Sequence, residues 1–118
     1  MSLLEELKGL GVNVDEGMDR VMGDESLYVM MLGMFVDAIA TTPISPEEFS
    51  GSDLDELIRK VHTLKGTTGN LSLTPLFDGY MEALGLLRSS QPARARAEFE
   101  RILPVQEKIV DCIKRNMG

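Results

Sequence analysis

Residues 54–71 read LDELIRKVHTLKGTTGNL, and the spacing of their apolar side chains predicts an amphipathic helix. Ser52 is a candidate N-cap, and acidic residues occupy the first turn, where the helix dipole favours negative charge. At about 100° per residue, seven side chains fall on one side and form the expected core face: Leu54, Leu57, Ile58, Val61, Leu64, Thr68 and Leu71. A helix with one apolar face must bury it against other elements, which the rest of the chain is expected to supply.

Two short helices are predicted at the start of the chain. Residues 3–10 follow Ser2, which forms a capping-box pattern with the glutamate three positions on. Asp15 is a candidate N-cap for a second short helix that ends near Gly23. We expect both to pack against longer helices, because isolated helices of this length are marginal in water.

A longer helix is predicted from Glu25 to about Ala40, with Asp24 as its N-cap. Its predicted core stripe comprises Leu27, Met31, Met34, Phe35 and Ala38, widened by Tyr28, Leu32 and Ile39. The methionines, including Met30, Met31, Met34 and Met81, have two interpretations, an adaptable partner surface or core filling, and we favour core filling because it is the usual role of methionine at helical spacing. Residues 41–51 contain prolines and small polar residues, so the longest loop is expected there.

Two further helices follow the stretch 54–71. Thr74 as N-cap and Pro75 at the first helical position begin one that ends near Ser89, with a stripe of Leu76, Phe77, Tyr80, Met81, Leu84 and Leu87. The last runs from about Pro92 toward Asn116, with a kink expected at Pro104 and with Ala95, Phe99, Ile102, Ile109 and Ile113 inward. Short links favour antiparallel neighbours. We therefore expect an all-α fold, with residues 1–118 forming a single domain: an up-and-down four-helix bundle with short N-terminal helices.

The chain's one histidine, His62, lies on the exposed side of the helix predicted over residues 54–71. Lys65, Gly66 and Gly69 share that face at the i+3, i+4 and i+7 positions. A glycine in a helix interior costs about 1 kcal/mol relative to alanine, so two of them suggest that close approach to the imidazole matters. A neutral imidazole is a nucleophile, and a lysine one turn away can pair with an anion bonded to it. Phosphate is the anion that this face predicts.

Residues 62–71, HTLKGTTGNL, resemble the motif of the histidine-containing phosphotransfer (HPt) domains of two-component phosphorelays. The family pattern is His-x-Leu-Lys-Gly, then small residues, then an apolar residue nine positions after the histidine, and the order of predicted helices agrees over nearly the whole chain. The resemblance implies that His62 accepts a phosphoryl group from a receiver-domain aspartyl phosphate, or from a kinase, and passes it to another receiver. Lys65 would hold the phosphoryl oxygens, and the expected partner contacts are Arg59, Gly66 and Gly69.

The partners implied by this resemblance are response-regulator receiver domains and a sensor histidine kinase. Receivers hold Mg²⁺ in an acidic pocket, so we expect no cofactor or metal on this chain. The sequence has no glycine-rich nucleotide loop, which predicts a phosphoryl carrier without its own turnover activity rather than an enzyme.

Two features depart from the family pattern. Ser72 stands where the family often has glycine, and Gly79 and Gly85 lie in a helix that usually carries larger residues. These differences concern the turn after the histidine helix and the helix that follows it, and neither involves the phosphoacceptor itself.

Charge and composition argue against other classes of protein. With 12 Lys+Arg and 19 Asp+Glu the net charge is -7, which disfavours nucleic-acid and anionic-membrane partners. Cys112 is the one cysteine, so no intrachain disulfide is possible, and one histidine beside it makes no zinc site. No apolar run approaches the roughly 20 residues of a membrane span, and no leader pattern opens the chain. We expect a cytoplasmic monomer.

Two alternative functions stay open. A helical adaptor that binds a signalling partner and transfers nothing would keep its activity when His62 is replaced. The dimerisation domain of a sensor kinase also displays a histidine on a helix. Its usual motif, however, has an acidic residue directly after the histidine and a proline a few positions on, whereas Thr63 and residues 66–69 (GTTG) follow here.

Overall fold

The computed structural model describes residues 2–117, and within that range the chain forms six α-helices, one 3-10 helix and no strand. The α-helices are α1 (Leu3–Gly9), α2 (Val14–Arg20), α3 (Glu25–Thr41), α4 (Leu54–Asn70), α5 (Thr74–Arg88) and α6 (Pro92–Met117), and the 3-10 helix spans Pro46–Ser50. The all-helical class predicted from the sequence is confirmed. No helix of this range is both long enough and apolar enough to cross a membrane.

Two of the predicted N-caps are confirmed. Ser2 and Asp24 accept hydrogen bonds from the amides three residues on, at 3.2 and 3.1 Å. The other three caps lie one or two residues from the predicted ones: Asn13 instead of Asp15 for α2, Asp53 instead of Ser52 for α4, and Leu73 instead of Thr74 for α5. Asn13 and Asp53 reach the amide three residues on at 3.2 and 3.1 Å. The starts of α2 and α4 offer more than one polar residue, so the sequence alone did not select the cap there, whereas the side chain of Leu73 makes no capping hydrogen bond.

The segment 41–51, predicted as a loop, contains the 3-10 helix and is tied to two other helices. Phe49 is only 2% exposed and packs against Phe99 of α6, with ring centroids 5.2 Å apart. Glu48 accepts a hydrogen bond from the Ser45 amide at 2.7 Å and forms an ion pair with Lys60 of α4 at 2.8 Å. These contacts tie the segment to α4 and α6.

Helix α5 packs extensively against both α4 and α6, and α3 packs against α6. Short connections at residues 71–73 and 89–91 join α4 to α5 and α5 to α6. A Cβ at Gly79 would lie 2.4 Å from Ile102 Cγ2, so the missing side chain lets α5 approach α6 closely. At the same interface the Tyr80 hydroxyl donates a hydrogen bond to Gln106, and burial raises the pKa of Tyr80. Close packing therefore accounts for the glycine that departs from the family pattern at position 79.

The buried faces of α4 and α6 match the predicted ones, whereas α3 and α5 differ in part. Met34, placed in the predicted stripe of α3, is 62% exposed, and Met30 and Met81 are 55% and 48% exposed. The interpretation of these three methionines as core filling is therefore wrong. The fully buried side chains of α3 are Tyr28, Leu32 and Phe35. Helix α6 continues through the exposed Pro104, and a kink there stays a prediction.

Candidate functional site

His62 lies midway along α4, and the buried residues of that helix determine which way the His62 side chain faces. The side chains buried against the neighbouring helices are Leu57, Val61, Leu64 and Thr68. They fix the rotation of α4 about its axis and leave His62 exposed. Among residues 2–117, the imidazole has no hydrogen-bond or ion-pair partner. Both ring nitrogens are thus accessible to a partner molecule.

The two cationic residues that flank His62 along α4 differ in their surroundings. Lys65, one turn later, is half-buried and forms no ion pair within the described part of the chain. Arg59, one turn earlier, forms an ion pair with Glu56, and that hydrogen-bonded pairing raises the pKa of the Arg59 guanidinium. Exposed pairs of this kind are weak, so Arg59 stays accessible. Lys65 is the cation that can meet an incoming anion without first leaving a carboxylate.

The two glycines after His62, Gly66 and Gly69, differ in what surrounds them in the fold. A Cβ at Gly66 would meet nothing within 4 Å in the part of the chain that the structure describes, so no contact there requires a glycine. A Cβ at Gly69 would lie 3.0 Å from two ring carbons of Phe77, so packing of α4 on α5 accounts for that glycine. The expected contact of Gly69 with a partner stays a prediction. At position 66, the described part of the fold gives no reason for a glycine.

The threonines of the motif direct their hydroxyl groups into the helix itself. Thr63 and Thr67 donate to the carbonyls of Arg59 and Thr63, both at 3.0 Å, and the buried Thr68 donates to the Leu64 carbonyl at 2.8 Å. Such bonds to the preceding turn satisfy the hydroxyl donors locally. At this face the imidazole and the Lys65 ammonium group, unlike these hydroxyls, have no hydrogen-bond partner within residues 2–117.

A groove of about 490 Å³ borders the His62 face and is formed by α2, α4 and α5. Lys65, Gly66 and Gly69 line one wall, and the opposite side brings Arg20 and Glu16 of α2 to the same place. Sequence reasoning did not place these two residues at the site, because Arg20 lies 45 positions before Lys65 and no local pattern links α2 to α4.

The turn between α4 and α5 joins this groove to α2 through Ser72. Ser72 has a φ of 55°, a left-handed conformation that glycine adopts without steric cost. Its hydroxyl donates to Glu16 at 2.7 Å, and this hydrogen bond, followed by that from Arg20, lowers the pKa of the Glu16 carboxyl. The position where the family often has glycine therefore requires a positive φ, and here a serine tolerates it while binding α2.

No group of three or more side chains that could hold a metal ion occurs among residues 2–117. The thiol of Cys112 is buried, and burial together with the nearby Glu6 carboxylate raises its pKa. This thiol is therefore a poor nucleophile, and His62 is the best placed nucleophilic side chain of the described chain.

Comparison with protein-family models, curated proteins and solved structures finds no match to this chain. The chemistry of the site therefore rests on its own geometry. An exposed imidazole, a cation one turn away and cleared space beside both suit the reversible attachment of a small anionic group to a ring nitrogen.

Proposed function

We propose that this protein is a phosphoryl carrier of the HPt type, with His62 as its phosphoacceptor. The observation that carries the proposal lies at one helix face, where, among residues 2–117, the exposed imidazole has no partner and no contact explains why residue 66 is glycine. A carrier must place its nitrogen against a phosphorus atom inside another protein's active site, and bare backbone beside the histidine permits that approach.

The transfer step needs only this chain's imidazole and a partner's acyl phosphate. A neutral ring nitrogen of His62 attacks the phosphorus atom, a P–N bond forms, and the P–O bond to the partner's aspartate breaks with the electron pair leaving on the carboxylate. The other ring nitrogen holds the imidazole proton until it exchanges with water. The ammonium group of Lys65 would stabilise the phosphoryl oxygens, and a Mg²⁺ ion held by the receiver would supply further positive charge to them. The reverse sequence returns the group to a second receiver.

The proposal extends to architecture and location. Helices α3, α4, α5 and α6 would form the up-and-down four-helix bundle, with α1 and α2 packed on its outside and residues 1–118 acting as one domain. The carrier would act in the cytoplasm, with receiver domains and a sensor kinase as its partners and without its own turnover activity.

The proposal is tested by incubating the protein with a panel of receiver domains labelled with radioactive phosphate on aspartate. We expect label on the wild-type chain, lost on acid treatment as for a phosphoramidate, and none on His62→Gln. Label on His62→Gln, or label that survives acid, would refute the assignment. A helical adaptor would instead bind its partner equally well with and without His62.

Two further variants separate docking from chemistry. Gly66→Leu should block transfer while keeping the helical circular dichroism spectrum, because leucine is the better helix former and the position is exposed. Ala97→Leu, an equally exposed substitution on α6, is the matched control and should transfer at the wild-type rate. Lys65→Ala should slow transfer several-fold without abolishing it, since a partly exposed charge contributes on the order of 1 kcal/mol.

A further inference from the structure

A groove of about 570 Å³ runs between α3 and α6, away from the residues assigned to phosphotransfer. Three methionines line it, Met30, Met34 and Met117, with 55%, 62% and 48% of their surface exposed. Gly33 forms the floor, where the Met117 methyl group would lie 2.7 Å from an added Cβ. Single exposed apolar residues are normal on a protein surface, whereas a contiguous apolar groove usually marks an interaction site.

The sequence of α3 supports the same conclusion. Residues 26–36 read SLYVMMLGMFV and contain no charged side chain. Tyr28, Leu32 and Phe35 bury one face of this helix in the core, so the outward face is apolar as well. A helix that is apolar on all sides is typical of one that is covered on all sides. Something besides the rest of the described chain is needed to cover the outer face.

Two charged residues at this groove indicate the occupant. Asp37 of α3 and Lys114 of α6 both line it, and within the described chain neither forms an ion pair. One anion and one cation in the same patch make the surface self-complementary under a two-fold axis, because Asp37 of each copy can meet Lys114 of the other. We propose that the α3–α6 groove is the contact surface of a homodimer, an inference independent of phosphotransfer.

The size of the surface sets the strength of this dimer. Residues 30–37 of α3 line the groove, a stretch about 12 Å long, and two adjacent helix diameters give a patch of roughly 250 Å² per copy. The total of about 500 Å² is smaller than a stable specific interface and corresponds to a weak, transient dimer. The monomer expected from the sequence is then the species in dilute solution.

The test is sedimentation velocity over a concentration series from about 5 µM to 1 mM. We expect the wild type to shift from monomer to dimer, and the double variant Met30→Glu/Met34→Glu to stay monomeric. Met81→Glu is the matched control, since Met81 is similarly exposed but lies on α5 outside the groove, and it should dimerise as the wild type does. A wild type that stays monomeric throughout, leaving the groove to a different protein, would overturn the proposal.

Charge reversal tests the two-fold pairing itself. Asp37→Lys and Lys114→Asp should each weaken self-association about tenfold, because two pairs per dimer become repulsive. An equimolar mixture of the two variants should recover dimers, since every contact in the mixed dimer is again between opposite charges. Single variants that dimerise like the wild type, or a mixture that stays as weak as its components, would refute this geometry. Circular dichroism confirms that each variant is folded.

Discussion

The two glycines of the site differ in a way that stability measurements can detect. In a helix interior, alanine is favoured over glycine by about 1 kcal/mol. At Gly66 an added Cβ meets open space, so Gly66→Ala should raise the free energy of unfolding by nearly that amount. At Gly69 the same methyl group would lie 3.0 Å from two ring carbons of Phe77, so the ring or the helix must shift by a few tenths of an ångström.

Overpacking of this kind typically costs about 1 to 3 kcal/mol, which cancels or exceeds the propensity gain. Gly69 is also the residue before the last of α4, where that gain is smaller. We therefore expect Gly69→Ala to be neutral or destabilised by up to about 2 kcal/mol, and so about 1 to 3 kcal/mol less stable than Gly66→Ala.

Urea unfolding followed by far-ultraviolet circular dichroism gives both values, provided that the m-value is unchanged. Phe77→Leu supplies the control, because a smaller side chain makes room for the methyl group. In the Phe77→Leu background, Gly69→Ala should lower the free energy of unfolding by less than it does in the wild type. Equal stabilisation by Gly66→Ala and Gly69→Ala in the wild-type background would refute the packing role assigned to Phe77.

Three other predictions concern the turn after α4. Ser72→Gly should be more stable than Ser72→Ala by about 1 kcal/mol in urea unfolding, since only glycine adopts the φ of 55° without cost; equal stabilities would show that this conformation carries no strain. The pKa of Glu16 is lowered from 4.5, so its hydrogen bond to Ser72 stabilises the fold above about pH 4.5, and this stabilisation is lost as the pH falls through the folded-state pKa. The difference in free energy of unfolding between wild type and Ser72→Ala should therefore become smaller from pH 6 to pH 3. Tyr28→Phe should cost about 1 to 2 kcal/mol, because the buried Leu71 carbonyl loses the donor that lies 2.8 Å away, and an unchanged midpoint would mean that another group replaces it.

The sequence predicted the buried side correctly for the helices whose two faces differ most in polarity. In α4 and α6 apolar residues alternate with charged ones at helical spacing, so both the helix and its buried side could be predicted. In α3 nearly every residue is apolar, and the choice between Met34 and Leu32 as a core residue depends on where α6 lies. The 3-10 helix within residues 41–51 was not predicted for a similar reason, because Phe49 is buried by Phe99, fifty positions later.

Much of the candidate site was local and therefore visible in the sequence. His62, Lys65 and Gly66 follow one another along one helix, and the core face of α4 alone places them on its other side. The reason for Gly69 depends on Phe77 in the next helix, and the partner of Ser72 is Glu16, which lies 56 positions earlier. No spacing rule connects such residues, although serine at a position where the related pattern has glycine was a signal that the turn is unusual.

The hydrogen bonds to the carbonyls of residues 71 and 72 limit where the chain can be truncated without loss of structure. The Asn13 amide donates to the Ser72 carbonyl at 3.0 Å, and Tyr28 donates to the neighbouring carbonyl of Leu71. A fragment trimmed to begin at Asp24 would keep all four long helices and yet lose the Asn13 and Glu16 contacts at the carboxyl end of α4. In native-state hydrogen exchange, the Leu73 amide, bonded to the Thr68 carbonyl at 2.9 Å, should therefore exchange as slowly as the core in the full chain and much faster in the fragment. Any excision or fusion of this protein should retain α2 and its cap residue Asn13.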